Sequence, residues 1–180
     1  KSSNSHDITI EIFNPNGDRV EACGNGTRCV ANLLFDEYNK SELKIKSDAG
    51  ILLARKIDNN NVTVNLGRLS HHWQDIPLSK KIDALNIPIE INGFSLGVAV
   101  NIGNPHVVFF GSKIKDVDLS FIGPKIETNT LFPKKTNVEI VEIINENKIR
   151  MRVWERGAGI TLACGSGACA AVYAGTLKKL

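Results

Sequence analysis

Hydrophobic side chains recur at every second position in several short stretches of the chain. Ile8, Ile10 and Ile12 are separated by polar residues, and the same alternation returns over 137–143 and 148–153. A period of two is typical of a β-strand that buries one face. Strands are therefore expected over 7–13, 43–46, 51–56, 62–66, 89–91, 94–102, 106–110, 137–143 and 148–153.

Turn sequences separate several of these predicted strands. Residues 14–17 read Asn-Pro-Asn-Gly and residues 145–147 read Asn-Glu-Asn, which are residue types that turns favour. Asn92-Gly93 is a strong signal for a tight hairpin. We expect this hairpin to join the strands over 89–91 and 94–102.

Two other stretches, 29–38 and 168–177, are apolar on nearly every side. Such a pattern is typical of a helix enclosed by other structure. Each stretch follows a copy of the pattern Cys-Gly-x-Gly, at 23–26 and at 164–167. Both halves of the chain therefore run strands, a Cys-Gly loop and a buried helix.

The halves are separated by a polar stretch without a clear period, over 68–79. We place a boundary there, with an N-terminal lobe over 1–68 and a C-terminal lobe over 69–180. Each lobe then holds strands, one Cys-Gly loop and one helix.

Composition narrows the class of protein. Of the 180 residues, 42% are hydrophobic and 23% are charged, which excludes long disorder, collagen and coiled coil. The net charge is +3 without any block of like charges, so no nucleic-acid partner is indicated. The longest apolar runs fall far below the roughly 20 residues of a membrane span, so we expect neither a membrane span nor a signal peptide.

The cysteines and the chain ends suggest a compartment and a trimmed sequence. Four cysteines do not make a disulfide framework, so we expect a reducing, cytoplasmic setting. The chain starts at Lys1 and stops at Leu180 within an apparent helix, so we expect both ends to be trimmed.

Cys23 and Cys164 are candidates for acid–base chemistry. A cysteine just before a helix lies near unpaired N–H groups and the positive end of the helix dipole, which lower a thiol pKa. The adjacent glycines let backbone amides approach an anion closely. If the two loops face each other across a cleft, one thiolate removes a proton from a carbon while the other thiol returns one to the opposite face.

Three other interpretations of the cysteines compete. A structural zinc site would need tighter spacing than Cys23 to Cys29 and Cys164 to Cys169. A disulfide between Cys23 and Cys164 is sterically possible but unexpected in a reducing setting. Plain buried cysteines need no function, and this is our interpretation of Cys29 and Cys169.

Five segments taken together resemble the diaminopimelate epimerase family. They are Phe-Asn-Pro-Asn-Gly at 13–17, the first Cys-Gly segment over 21–29, Gly-Asn-Pro-His at 103–106, Thr-Asn-Val-Glu at 136–139, and 154–169, which begins Trp-Glu-Arg-Gly and holds the second Cys-Gly loop. The resemblance covers nearly the whole chain. It implies an isomerase that interconverts LL- and meso-diaminopimelate without pyridoxal phosphate or another cofactor, on the route to lysine and, in bacteria, peptidoglycan.

The resemblance also implies roles for particular residues. Cys23 and Cys164 would be the acid/base pair, and His106 and Glu155 would assist proton movement near the thiols. Backbone amides would hold the carboxylate beside the reacting carbon, and five side chains would recognise the far end of the substrate. The amides belong to Gly24, Asn25, Gly165 and Ser166, and the side chains to Asn14, Asn104, Asn137, Glu155 and Arg156.

Each of these residues also has an ordinary interpretation. The asparagines suit turns, and Glu155 and Arg156 alone would be surface charges. His106 would otherwise be a hydrogen-bonded structural histidine. No metal ligand set is predicted.

The fold implied by the resemblance is α+β, with two similar lobes, each a curved, mainly antiparallel sheet around a central helix. Relatives begin with a further strand and continue with several strands after the second cysteine helix, so the sequence resembles a family member without its two ends. A homodimer is implied for the full-length protein.

Two rival functions remain open. A proline or hydroxyproline racemase of the same superfamily would use the same chemistry on a smaller substrate. A noncatalytic relative would bind an anion at the two helix starts, although a binding protein needs neither cysteine.

Overall fold

The computed structural model describes residues 5–14, 16–58 and 60–180. The chain folds into two compact units, Lys1–Arg68 and Leu69–Leu180. Both units combine sheet with helix, so the predicted α+β class is confirmed. Pro15, in the predicted turn over 14–17, and Lys1 lie outside the described residues.

The first unit holds one helix and two small sheets. A four-stranded sheet has the order β1-β4-β5-β6, with β1 parallel to β4 and the other pairs antiparallel, and β2 pairs with β3. The elements are β1 (Ile8–Thr9), β2 (Ile12–Phe13), β3 (Arg19–Val20), α1 (Gly24–Glu37), β4 (Glu42–Ser47), β5 (Gly50–Lys56) and β6 (Val62–Asn65).

The stretch over 7–13 forms two short strands rather than the single strand that its alternation predicted. The amide of Ile10 donates to Lys46 O at 2.8 Å, which is the last bond to β4. The chain then leaves that sheet and pairs with β3, and Asn14 N donates to Asp18 O at 2.8 Å in the connecting turn. The alternation continued across a change of partner strand, which a period of two cannot reveal.

The helix α1 is buried along one face only, so the expectation of an enclosed helix is wrong here. Thr27, Ala31 and Phe35 are buried against the sheet, at spacings of four residues. Leu33 is 74% exposed, and Cys29 is exposed rather than buried as expected, because both lie away from the buried face.

The second unit is built on a five-stranded sheet of order β11-β10-β9-β8-β7, antiparallel except for the parallel pair β8 and β9. Its elements are β7 (Val98–Asn101), β8 (Pro105–Phe110), α2 (Leu119–Glu127), β9 (Asn137–Asn145), β10 (Lys148–Glu155), β11 (Gly159–Ile160) and α3 (Gly165–Lys178), with a 3-10 helix over Ile114–Asp116. The predicted turn over 145–147 is confirmed between β9 and β10.

The central strands of this sheet are covered on both faces. Val108 and Val141 pack with Ala170 and Ala174 of α3 on one face. Side chains of the alternate positions, such as Val107, pack in a second cluster with residues of α2 and of the segment before β7.

Two expectations for this unit are corrected. Asn92-Gly93 forms the predicted turn, but the segment 89–91 is not a strand and the strand predicted over 94–102 is formed only by β7. Cys169 is exposed rather than buried, because α3 places it opposite the alanines that contact the sheet.

Candidate active site

Cys23 caps the N-terminus of α1 in the first unit. Its backbone is extended, and its Sγ accepts a hydrogen bond from Gly26 N at 3.3 Å. The side chain is half-buried. The thiol therefore lies at the helix end, as the Cys-Gly pattern predicted.

Cys164 caps α3 in the second unit with the same local geometry. Its Sγ accepts from Gly167 N at 3.3 Å and lies 3.4 Å from Ser166 Oγ. The residue is only 7% exposed. The two copies of the sequence pattern thus produce the same cysteine cap in both units.

The acidity of Cys164 is opposite to our expectation for a cysteine at a helix start. The pKa of Cys164 is raised to about 12, chiefly by burial and also by the negative charges of Glu139 and Glu155. Hydrogen bonds from Ser166 and the Gly167 amide lower the pKa but do not offset burial. Cys164 is therefore held as a neutral thiol near neutral pH.

The four amides predicted to hold a carboxylate occupy the first turns of these helices. Gly24 and Asn25 open α1, and Gly165 and Ser166 open α3. In an α-helix, the N–H groups of the first turn point out of the helix end, towards positions that anions favour. Each cysteine thus lies beside a backbone site suited to an anion.

A buried hydrogen-bonded chain links Asn104, His106 and Glu139. His106 Nδ1 lies 2.7 Å from Glu139 Oε1, and His106 Nε2 lies 3.0 Å from Asn104 Oδ1. His106 and Glu139 are both fully buried. Both ring nitrogens of His106 are therefore engaged within the protein.

Glu139 also contacts the start of α3. A Cβ added at Gly167 would lie 2.7 Å from Glu139 Oε1 and 3.3 Å from Cys164 Sγ. The carboxylate and the thiol thus pack around the same glycine. The absence of a side chain at Gly167 allows this approach.

Asn137 joins two of the predicted substrate-binding segments. Its Nδ2 donates to Pro105 O at 2.8 Å, and its Oδ1 accepts from Arg156 N at 2.9 Å. The residue is 4% exposed. Asn137 therefore fixes the segment after Asn104 relative to the segment that carries Arg156.

A second buried carboxylate, Glu127 at the end of α2, holds the turn after β10. It accepts from Trp154 Nε1 at 2.6 Å and from Gly157 N at 2.9 Å. Glu155 and Arg156 lie between these two donors. Glu155 accepts a hydrogen bond from Thr161 Oγ1.

Most of the predicted site residues of the second unit lie in small groups joined by hydrogen bonds or by charge interactions. They are Asn104, His106, Asn137, Glu155, Arg156, Cys164 and Ser166. In the first unit, Asn14 lies in the turn between β2 and β3, apart in sequence from the Cys23 cap.

Sequence reasoning missed Glu139 and Glu127. Glu139 occupies a polar position in the alternation over 137–143, which is typical of an exposed face, but β9 is buried on both faces as far as Val141. Glu127 ends a helix that the hydrophobic pattern did not predict, because α2 has only nine residues and contains Pro124. Asp118, whose side chain caps α2, was the available signal.

Metal-binding clusters and membrane spans are both absent from the described residues. Within 5–14, 16–58 and 60–180, no group of three or more His, Cys, Asp or Glu side chains is placed to hold a metal ion. In the same part of the chain, no helix has the length and hydrophobicity that crossing a membrane requires. The four cysteines carry free thiols.

Comparison with known proteins gives one consistent family. The family model described as diaminopimelate epimerase matches residues 1–72 and 98–180. The chain is 45% identical to the diaminopimelate epimerase of Pelagibacter ubique, covering 100% of this chain and 68% of that protein. It is 44% identical to the diaminopimelate epimerase of a Wolbachia from Brugia malayi, covering 98% of this chain and 69% of that protein.

Solved structures show the same fold at low sequence identity. A PhzF-family phenazine biosynthesis protein from Enterococcus faecalis aligns with a TM-score of 0.53 at 16% identity, over 95% of this chain and 62% of that chain. The Bacillus anthracis member aligns with a TM-score of 0.51 at 23% identity, over 96% of this chain and 63% of that chain. These similarities support the fold. The chain spans about two thirds of the length of the curated relatives that it matches.

Proposed function

The chain belongs to the diaminopimelate epimerase family, and from this membership we propose that the protein inverts one α-carbon of diaminopimelate by proton transfer between two cysteines. The observation that carries the proposal is the repeated cap, in which Cys23 and Cys164 each accept a hydrogen bond from the amide three residues later. The reaction would interconvert the LL and meso forms, on the route to lysine and peptidoglycan precursors.

The two thiols have complementary tasks in this mechanism. One cysteine, as a thiolate, removes the α-proton, and the other, as a thiol, returns a proton to the opposite face of the carbon. The raised pKa of Cys164 supports its role as the proton donor when Cys23 is the base. The roles reverse in the opposite direction.

Binding of the substrate would be divided between the helix ends and the polar side chains. The amides of Gly24, Asn25, Gly165 and Ser166 suit the carboxylate beside the reacting carbon, because helix N-termini favour anions. The distal end of the substrate would meet Asn14, Asn104, Asn137, Glu155 and Arg156. Arg156 is suited to a carboxylate because its guanidinium forms two parallel hydrogen bonds.

The supporting roles of His106 and Glu155 differ. Glu155 carries a charge that acts on the thiol of Cys164, so it is placed to influence proton movement. His106 would act through its hydrogen-bonded neighbours, since both its ring nitrogens are engaged. The cytoplasmic location that we propose is supported by the free cysteines, and the homodimer that we propose for the full-length protein is supported by the family resemblance.

Isotope exchange tests this function. The full-length protein, incubated with LL-diaminopimelate in heavy water, should form meso-diaminopimelate that carries deuterium at the α-carbon. Proline and hydroxyproline, tested in parallel, distinguish the racemase alternative. Exchange with either of these and none with diaminopimelate would refute the proposed substrate, and no exchange with any would favour the noncatalytic alternative.

A further inference from the structure

Glu139 is a buried acidic residue to which the proposed reaction assigns no task. It is 0% exposed and lies on the central strand β9, on the sheet face that α3 covers. Its Oε1 contacts His106, and its Oε2 has no hydrogen-bond partner among the described residues. A buried carboxylate is costly, and an unsatisfied oxygen adds to that cost, so its position calls for an explanation.

The neighbours of His106 determine where its protons lie. Nε2 faces the amide oxygen of Asn104, which only accepts hydrogen bonds, so Nε2 carries a hydrogen. Nδ1 and Glu139 Oε1 lie 2.7 Å apart, and two acceptors without a proton would repel at that distance. A second proton therefore lies between His106 and Glu139, on one atom or the other.

Because of this second proton, Glu139 keeps Nε2 of His106 a hydrogen-bond donor. Without an acid at position 139, a neutral His106 is free to carry its single hydrogen on Nδ1. Nε2 would then accept a hydrogen bond, and the Asn104 amide would turn to offer its NH₂ group. The orientation of the Asn104 amide thus depends on a residue that does not touch it.

We propose that Glu139 is a positioning residue that acts through His106 to fix the side-chain amide of Asn104. The inference rests on the proposed function, because Asn104 is one of the proposed substrate ligands. With Oδ1 held by His106, the opposite end of the amide is its NH₂ group. An NH₂ group donates to a carboxylate, whereas an amide oxygen would repel it.

The residues around Glu139 hold it in place beside His106. Gly167 approaches Oε1 so closely that a Cβ there would meet it at 2.7 Å. Parallel pairing of β8 with β9 places His106 opposite Asn137, two residues before Glu139 and on the same face. The thiol of Cys164, at the N-cap of α3, interacts with the charge of Glu139 and also with that of Glu155 on β10.

Two substitutions at position 139 separate hydrogen bonding from shape. Glu139→Gln keeps a donor for Nδ1, so Nε2 retains its hydrogen and the Asn104 amide keeps its orientation. Glu139→Met has a similar length but makes no hydrogen bond. In the full chain we expect Glu139→Met to raise the KM for diaminopimelate about tenfold to a hundredfold, with a smaller loss in kcat, and Glu139→Gln to stay within about threefold.

Glu142→Gln is the matched control. Glu142 lies on the same strand but faces Arg150 at the surface, with an Oε2 to Nη1 distance of 2.8 Å. This variant should leave KM and kcat unchanged. Equal KM values in wild type and Glu139→Met, or an equal rise in Glu139→Gln and Glu139→Met, would overturn the proposal.

A second measurement does not depend on activity or on the stability of Glu139→Met. The ¹⁵N NMR shifts of the His106 ring in wild type should show Nε2 protonated across the pH range in which the protein is folded. An unprotonated Nε2 would overturn the proposal. If the wild-type protein fails to epimerise diaminopimelate, the proposed function fails, while this spectrum still decides the hydrogen bonding of Glu139.

Discussion

The two cysteine caps share one geometry but differ in their surroundings. Each thiol accepts a hydrogen bond from the amide three residues later, at 3.3 Å. Cys164 is buried beside two carboxylates, and Cys23 is half-buried. A helix start alone therefore does not make a cysteine acidic, because removing water from the thiolate outweighs the favourable N–H groups at Cys164.

Alkylation of Cys164 should reflect its raised pKa. With a pKa of about 12, the thiolate fraction at pH 8 is about a thousandfold below that of an ordinary cysteine. The rate of modification should keep rising with pH up to about pH 11. Mass spectrometry of the modified peptides after iodoacetamide treatment gives the rate, and exposed Cys169 serves as the internal control. A plateau at pH 8 to 9 would contradict the raised pKa.

At the scale of elements, the sequence predicted those parts of the fold that follow from local pattern. The strands over 43–46 and 51–56 and the helices after both Cys-Gly loops are confirmed, because alternation and helix starts are local signals. The burial of the Glu139 side chain was not predictable, since an acidic residue at an alternating position is typical of an exposed face. Its burial depends on α3, which lies elsewhere in the sequence.

Because α1 is buried on one face only, substitutions on its two faces should differ in their effect on stability. Phe35 is 1% exposed and packs with Leu43 and Ile45, so Phe35→Ala should lower the free energy of unfolding by about 3–5 kcal/mol. Leu33 lies two residues away on the same helix and is 74% exposed. Leu33→Ala should therefore change stability by less than about 0.5 kcal/mol. Urea denaturation followed by circular dichroism provides both values, and similar losses would show that the helix is enclosed after all.

At the scale of the whole molecule, each compact unit carries one of the two proposed acid–base thiols. The chain matches the family over both units, and each unit repeats the order of strands, cysteine cap and helix. Asn137 connects the backbone after Asn104 to the backbone at Arg156, so one side chain fixes two loops.

The measurement that tests the two-thiol mechanism most directly compares four single cysteine variants of the full-length protein. Cys23→Ala and Cys164→Ala should each abolish the conversion of LL- to meso-diaminopimelate, because inversion requires a donor and an acceptor on opposite faces of the carbon. Cys29→Ala and Cys169→Ala should retain activity, since both side chains are exposed and lie outside the caps. Full epimerase activity in either Cys23→Ala or Cys164→Ala would contradict the mechanism.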